Sequence, residues 1–322
     1  MLDTTLKSTF APINPAYNSV FQPGRLTVGL VVPVEAYPSS AVPRLDRHLE
    51  RAQLAERLGF SALWLRDIPF NVPSFGDAGQ VFDPFVYLGA LAVATRTIGL
   101  GVASVILPLR HPAHVAKAAA SADKLSGGRL LLGIASGDRP DEYPALNLTH
   151  AARGERFRDS VAYLRAMASD HPRLDSPYGT LSGTIDMLPK PAGQRLPLLI
   201  TGGSQQDPDW VADNGDGWMT YPRDILRQHA VVAAYRDRIA ANGGTDKPVM
   251  QSLYIDLLAD DHAPPRPIHL GFAAGVTYLR RTLVELQAVG INHVALNLRF
   301  NQADIETTLA RLADAVLPDF TA

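Results

Sequence analysis

The chain has 322 residues, 46% of them apolar, and its 30 basic and 32 acidic side chains leave a net charge of −2. That balance, with no basic tract, offers nothing to nucleic acid or an anionic membrane, and the lack of cysteine excludes disulfides, zinc-thiolate sites, iron–sulfur clusters and cysteine nucleophiles together. No uncharged stretch approaches the roughly 18 residues of a membrane span, and no early apolar run is long enough for a signal peptide, so a cytoplasmic protein is expected.

Residues 1–25 read as a polar, proline-containing N-terminal arm that ends at the turn Pro23-Gly24, and residues 26–322 as one domain. A first strand is expected over 26–32. An amphipathic helix follows over 44–58, with Leu45, Leu49, Ala52 and Ala55 on one face and Gly59 as its stop. The second strand, 61–65, runs into Arg66-Asp67, and 71–81 is too rich in proline, glycine and aspartate to be helical. The helix over 84–95 carries no charge. On an outer surface such a helix needs cover, from a second copy of the chain or from the chain's own loops, and a homodimer is expected.

The most telling stretch is 98–141. Apolar strands over 98–107 and 129–135 flank a helix rich in small residues (Ala113, Ala116, Ala118, Ala119, Ala120, Ala122), which Gly127-Gly128 stops. Strands apolar throughout are those buried on both faces of a parallel sheet. The turn after the second of them holds Ser136, Gly137, Asp138 and Arg139.

Helix is expected over 153–167, an irregular insertion with short strands over 170–193, and a fifth strand over 197–201. Gly202-Gly203-Ser204 follows, then a helix with Trp210 and Val211. A sixth strand (217–220), a helix (224–241), a seventh strand within 249–258, a proline-rich loop, a helix (275–289), an eighth strand (293–298) and a final helix from Ala303 complete the chain. Eight strands alternating with helices, and no GxGxxG turn, give an α/β fold: a (β/α)8 TIM barrel with insertions after strands 4 and 7.

In such barrels ligands sit at the carboxyl ends of the strands, which selects candidates. Gly202-Gly203-Ser204 joins a strand to a helix, where exposed N–H groups suit a phosphate; a plain turn with an N-cap serine has the same look. Asp67 ends strand 2, as a site residue or as a salt-bridge partner of Arg66 or Arg110. Arg110 and His111 stand at the mouth of strand 3, and a histidine there transfers protons or serves as a structural hydrogen-bonder. Asp138 and Arg139, with Arg153 and Arg156 soon after, either hold an anionic substrate or form an ion-pair network. The histidines and acids show no metal-binding spacing, and neither a GxSxG elbow nor a phosphate-binding P-loop occurs.

The segments GFSALWLRD (59–67), LPLRHP (107–112), KLSGGRLLLGIASG (124–137) and the Gly-Gly-Ser turn resemble the luciferase-like monooxygenases, flavin-dependent barrels related to bacterial luciferase. The likeness covers roughly residues 26–300. FGDAGQVFDP (75–84), SGDRPDEYPA (136–145) and RGERFR (153–158) resemble an uncharacterised branch of luciferase-type oxidoreductases. The resemblance implies reduced FMN, or in some branches F420, in the barrel mouth. It places a non-prolyl cis peptide at Ala103-Ser104, Ser136 and Gly137 near the cofactor, the phosphate on Gly202, Gly203, Ser204 and Gln205, and Trp218 beside the ring. Luciferase has a catalytic histidine where this chain has Ile68, which argues against aldehyde oxidation of the luciferase kind.

The expectation is therefore an FMN-dependent oxidoreductase, a two-component monooxygenase fed by a separate flavin reductase and acting on a small-molecule substrate. Asp67, His111 and Arg139 are its catalytic candidates, and Arg110 and Asp138 its substrate-binding ones. F420-dependent hydride transfer, a non-catalytic flavin-binding barrel and a barrel enzyme for phosphorylated metabolites are the alternatives.

Overall fold

The computed structural model describes residues 9–320. Strands β1 (Thr27–Val31), β2 (Ala62–Leu65), β3 (Gly99–Ile106), β4 (Leu130–Ala135), β5 (Leu198–Thr201), β6 (Gly217–Thr220), β7 (Val249–Leu257) and β8 (His293–Asn297) pair in parallel and in chain order. β8 returns to β1, with His293 opposite Thr27, so the sheet closes as a (β/α)8 barrel. Every residue of β1, β2 and β8 is buried. Covered on both faces, these strands have no reason to alternate apolar with polar residues.

One apolar cluster lies between the strands and the outer helices. A second fills the lower barrel interior with Ala62, Trp64, Leu131, Leu199, Met250 and Ala295, and Ile13, Tyr17, Val20 and Phe21 close it from below. Tyr17 and Val20 belong to a helix, Pro15–Val20, that Ile13 and Phe21 flank, and this helix lies within the segment expected to be an irregular arm. Asn14 caps it, accepting from the Tyr17 N–H at 2.9 Å while its Nδ2 donates to the Leu130 carbonyl at 2.8 Å. The Tyr17 hydroxyl donates to the Asp216 carbonyl at 2.6 Å. The helix thus plugs the amino-end opening of the barrel, and chemistry is left to the other end.

The helix expected over 44–58 starts only at His48 and runs to Arg57. Leu45 and Arg47 are left-handed, with φ 59° and 55°, and the N–H groups of Arg44 and Leu45 donate to the Glu35 carboxylate at 2.9 and 2.8 Å. A carboxylate clamp outcompetes the helical turn that Leu45 would otherwise have joined.

Both insertions are present. After β4 the chain runs through helix Arg153–Ala166 into an antiparallel pair, Arg173–Ser176 with Gly179–Ser182. After β7 a second pair, Arg266–Ile268 with Gly271–Ala274, adds to the barrel, its second strand running parallel to β7. No helix among the described residues is long and apolar enough to cross a membrane.

Candidate active site

The carboxyl ends of the strands open onto a cleft of about 410 Å³. Its floor includes Ala103 and Ser104, whose peptide bond is cis. The Ser104 hydroxyl hydrogen-bonds to that of Thr201 at the end of β5.

One wall is the turn after β5, Gly202 to Gln205. Gly202, Ser204 and Gln205 have φ of 54°, 45° and 62°. A turn wound this way gathers successive N–H groups on one side, the arrangement that binds anions. The turn is braced from behind: Gln206 Nε2 donates to the Gly154 carbonyl at 2.7 Å, and the Ser204 hydroxyl donates to the Thr201 carbonyl at 2.8 Å. A Cβ at Gly203 would meet only the Gln206 carbonyl oxygen, at 3.5 Å, so the space before the turn is open. Arg153 lines the cleft beside it and donates from Nη1 to the His150 carbonyl at 3.0 Å, and its buried Nε has no partner.

The turn after β4 forms the next stretch of wall. Ser136 is buried and its carbonyl accepts from the Tyr143 hydroxyl. Gly137 has φ 77°, and a Cβ there would lie 2.6 Å from Ile106 Cγ2, so glycine is required on two counts. Asp138 is exposed at the mouth. Arg139 is buried, with its guanidinium carbon over the Phe75 ring 4.7 Å from the centroid, and its Nη1 has no partner. Burial holds its pKa below the ordinary guanidinium range.

Asp67 lines the cleft at the end of β2, but its oxygens are taken. Arg110 donates from Nη2 to Oδ1 at 2.7 Å and from Nε to Oδ2 at 3.1 Å, and Oδ2 also accepts from the Ile106 N–H at 3.1 Å. Arg110 continues to Asp83 at 2.8 Å. Ile68 lines the cleft next to Asp67.

Three sequence candidates do not reach the cleft. Arg110 turns back to its two carboxylates. His111 caps helix Pro112–Ser126, accepting from the Ala113 N–H at 3.2 Å, and meets the rings of Tyr163 and Tyr178 edge-on. Trp218 faces outward because its strand neighbour Met219 faces inward, as the two-residue period of a strand demands. It packs on Tyr235 at 5.2 Å, and its indole N–H donates to the Gly202 carbonyl at 3.0 Å, steadying the turn from outside.

The structure adds two cleft residues that sequence reasoning missed. Glu142 is 2% exposed, its Oε1 has no partner, and burial pushes its pKa up to about 7 against the opposing pull of Arg139. In the polar string DRPDEYP only the neighbouring Tyr143 hints at burial. Gln251 is likewise 2% exposed with an unpartnered Oε1. An amide inside the apolar strand β7 was its signal.

Residues 25–263 match the model of the luciferase-like monooxygenases. The chain belongs to that family. An uncharacterised protein of Mycobacterium tuberculosis (strain H37Rv) is 31% identical over 63% of this luciferase-like chain and 80% of its own length. The F420-dependent hydroxymycolic acid dehydrogenase of the same strain is 27% identical over 79% of this chain and 69% of its own. The FMN complex of a type II Baeyer–Villiger monooxygenase, the oxygenating constituent of 3,6-diketocamphane monooxygenase from Pseudomonas putida, shares the fold. It superposes with a TM-score of 0.71 over 92% of this chain and 99% of its own, at 14% identity. The luciferase-like fold is thus shared with proteins named for each of the two cofactors.

Proposed function

We propose that this luciferase-like oxidoreductase binds reduced FMN across the cleft and oxidises a small organic substrate with oxygen, as the oxygenase component of a two-component system. The observation that carries this reading is the open, left-handed turn Gly202–Gln205 with Arg153 beside it. Buried polar groups without partners are rare in native proteins, and a ligand is a sufficient reason for them. The orphaned Arg153 Nε and Gln251 Oε1, both on the cleft, fit a group with a phosphate and a polar ring edge.

In this reading the N–H groups of Gly203, Ser204 and Gln205 and the guanidinium of Arg153 hold the phosphate. Met219, Ala103 and Ser104 shape the floor, and Gln251 offers an amide to the ring. The bound flavin supplies the electrons and activates oxygen. The chain's part is to orient it and exclude water. A separate reductase fits a chain with no dinucleotide fingerprint of its own. A homodimer fits the charge-free helix Pro84–Ala94, which leaves Val86 74% and Val93 66% exposed.

F420-dependent hydride transfer is the second reading, favoured by the mycobacterial F420-dependent relative. F420 carries an acidic tail, for which free cations at the mouth would serve. Here Arg66 is committed to Asp77 at 2.7 Å and Arg110 to Asp67 at 2.7 Å, so such a tail would have to rest on Arg139 or Arg153, the cleft arginines with an unpartnered donor.

Anaerobic titration with FMN, its reduced form and F420 tests the proposal. Micromolar or tighter binding of reduced FMN, followed by substrate-dependent oxygen uptake, is the expected result. Binding of F420 alone would replace it with the second reading, and binding of neither would remove both.

A further inference from the structure

Resting on the flavin reading for its reaction, though not for its binding site, we propose that the cleft takes a substrate bearing a single carboxylate, gripped by Arg139 with the Glu142 carboxyl beside it. The grip is a buried cation that the fold holds still and does not pair. Arg139 is 8% exposed, and its guanidinium lies on the Phe75 ring at 4.7 Å. Its hydrogen bond within the protein is a long one, from Nη2 to the Asp77 carbonyl at 3.4 Å, and Nη1 has none.

The carboxylates around it are engaged elsewhere. Asp77 Oδ2 accepts from Arg66 at 2.7 Å and faces Arg299 at 3.0 Å, while its Oδ1 accepts from the Gly79 N–H at 2.8 Å. Asp67 is held by Arg110. Two carboxylates remain: Asp138 is exposed to solvent at the mouth, and burial biases Glu142 toward the neutral acid. A desolvated guanidinium in these surroundings lacks an anion, and the cleft is where one can arrive.

Arg139 and Arg153 serve different walls. Arg139 leans on the loop after β2, through Phe75 and Asp77. Arg153 begins the helix whose Gly154 carbonyl is bonded to Gln206 behind the phosphate turn. FMN has one phosphate, which leaves the second cation for the substrate.

The chemistry of the pair selects the anion. A flat guanidinium matches the two oxygens of a carboxylate, and a neutral Glu142 can donate its proton in a hydrogen bond to one of them. A dianion such as a phosphate monoester would leave its second charge without a cation, because Arg66 and Arg110 are held by Asp77 and Asp67, and an uncharged substrate would leave Arg139 unpaired.

The test is calorimetric titration of the full chain, flavin-free and FMN-loaded, with two matched pairs of probes: benzoate against benzamide, and hexanoate against hexanamide. Each acid is expected to bind at least tenfold more tightly than its amide. Arg139→Met should remove that preference while leaving FMN affinity unchanged, and Arg139→Lys, which keeps the charge and loses the fork, should retain part of it. Arg153→Met should weaken FMN and spare the acids. Equal binding of acid and amide, no binding of either, or an acid preference that survives in folded Arg139→Met overturns the proposal. If FMN does not bind but the acid preference is present and needs Arg139, the flavin reading fails and this one stands.

Discussion

The indole N–H of Trp64 donates to Nε2 of His293 at 2.8 Å inside the lower barrel, and both side chains occupy room that two glycines leave free. A Cβ on Gly101 would lie 2.2 Å from the Trp64 ring, and one on Gly29 would lie 2.7 Å from His293 Nε2. With Nε2 accepting, Nδ1 carries the proton toward the Thr27 hydroxyl at 2.7 Å, and Thr27 donates on to the Val20 carbonyl at 2.7 Å. The chain of bonds ties β2, β8 and β1 to the plugging helix and is complete only with a neutral imidazole. Burial holds the His293 pKa down at about 3, in keeping with that. Trp64→Phe leaves Nε2 buried without a donor. It should cost about 1–3 kcal/mol in urea unfolding and leave unchanged the FMN affinity proposed for the opposite end of the barrel.

Asp67 and Arg110 make a second test, because a catalytic carboxylate and a structural one predict different losses. The Asp67 side chain is 1% exposed and that of Arg110 is 26% exposed. Asp67→Asn should destabilise the fold by about 2 kcal/mol, less than breaking a fully buried pair because Arg110 keeps Asp83 and some solvent. Turnover per folded molecule should fall no more than severalfold. A variant of unchanged stability with turnover reduced a hundredfold would return Asp67 to the chemistry.

The barrel is legible in the sequence because most of its strands are largely apolar and helices such as Pro112–Ser126 end on glycine, here Gly127, whose φ of 71° makes the left-handed stop. The cis peptide at Ala103-Ser104 falls where the resemblance puts it, and Gly202–Gln205 forms a left-handed turn on the cleft wall. What stays hidden depends on contacts distant in the chain. Six residues of helix at Pro15–Val20 are too few to show a period, and they owe their place to Leu130 and Asp216 far along the sequence. Glu142 looks solvent-facing until the loop after β2 folds beside it. His111 and Trp218 have the right residue types at the right strand ends, but a cap and a strand's alternation turn them away from the cleft.

Gly203→Val examines the phosphate wall. The glycine has no left-handed φ to protect, and a Cβ there makes ordinary contact with the Gln206 carbonyl at 3.5 Å, so thermal unfolding should hardly change. The two γ-methyls would then fill the space in front of the turn. FMN affinity should drop at least a hundredfold in the same titration used for the parent protein. Retained affinity would place the phosphate somewhere other than this turn.

Glu142 gives the fold a pH dependence of definite sign. Its pKa is about 7 in the folded chain against an ordinary 4.5, and burial is the main cause. Between those values the folded state binds a proton that the unfolded state does not, so this group's contribution is full below pH 4.5 and is lost as the pH rises through 7. Glu142→Gln carries no such penalty. Relative to the parent, the Gln variant should gain stability from acid to neutral pH, by on the order of 3 kcal/mol in total, and then stay level. Urea unfolding of both proteins at a series of pH values from 4 to 8 reads that difference directly. A gap that is constant with pH would mean that Glu142 is ionised in the folded protein, and would also remove the neutral carboxyl that the carboxylate grip employs.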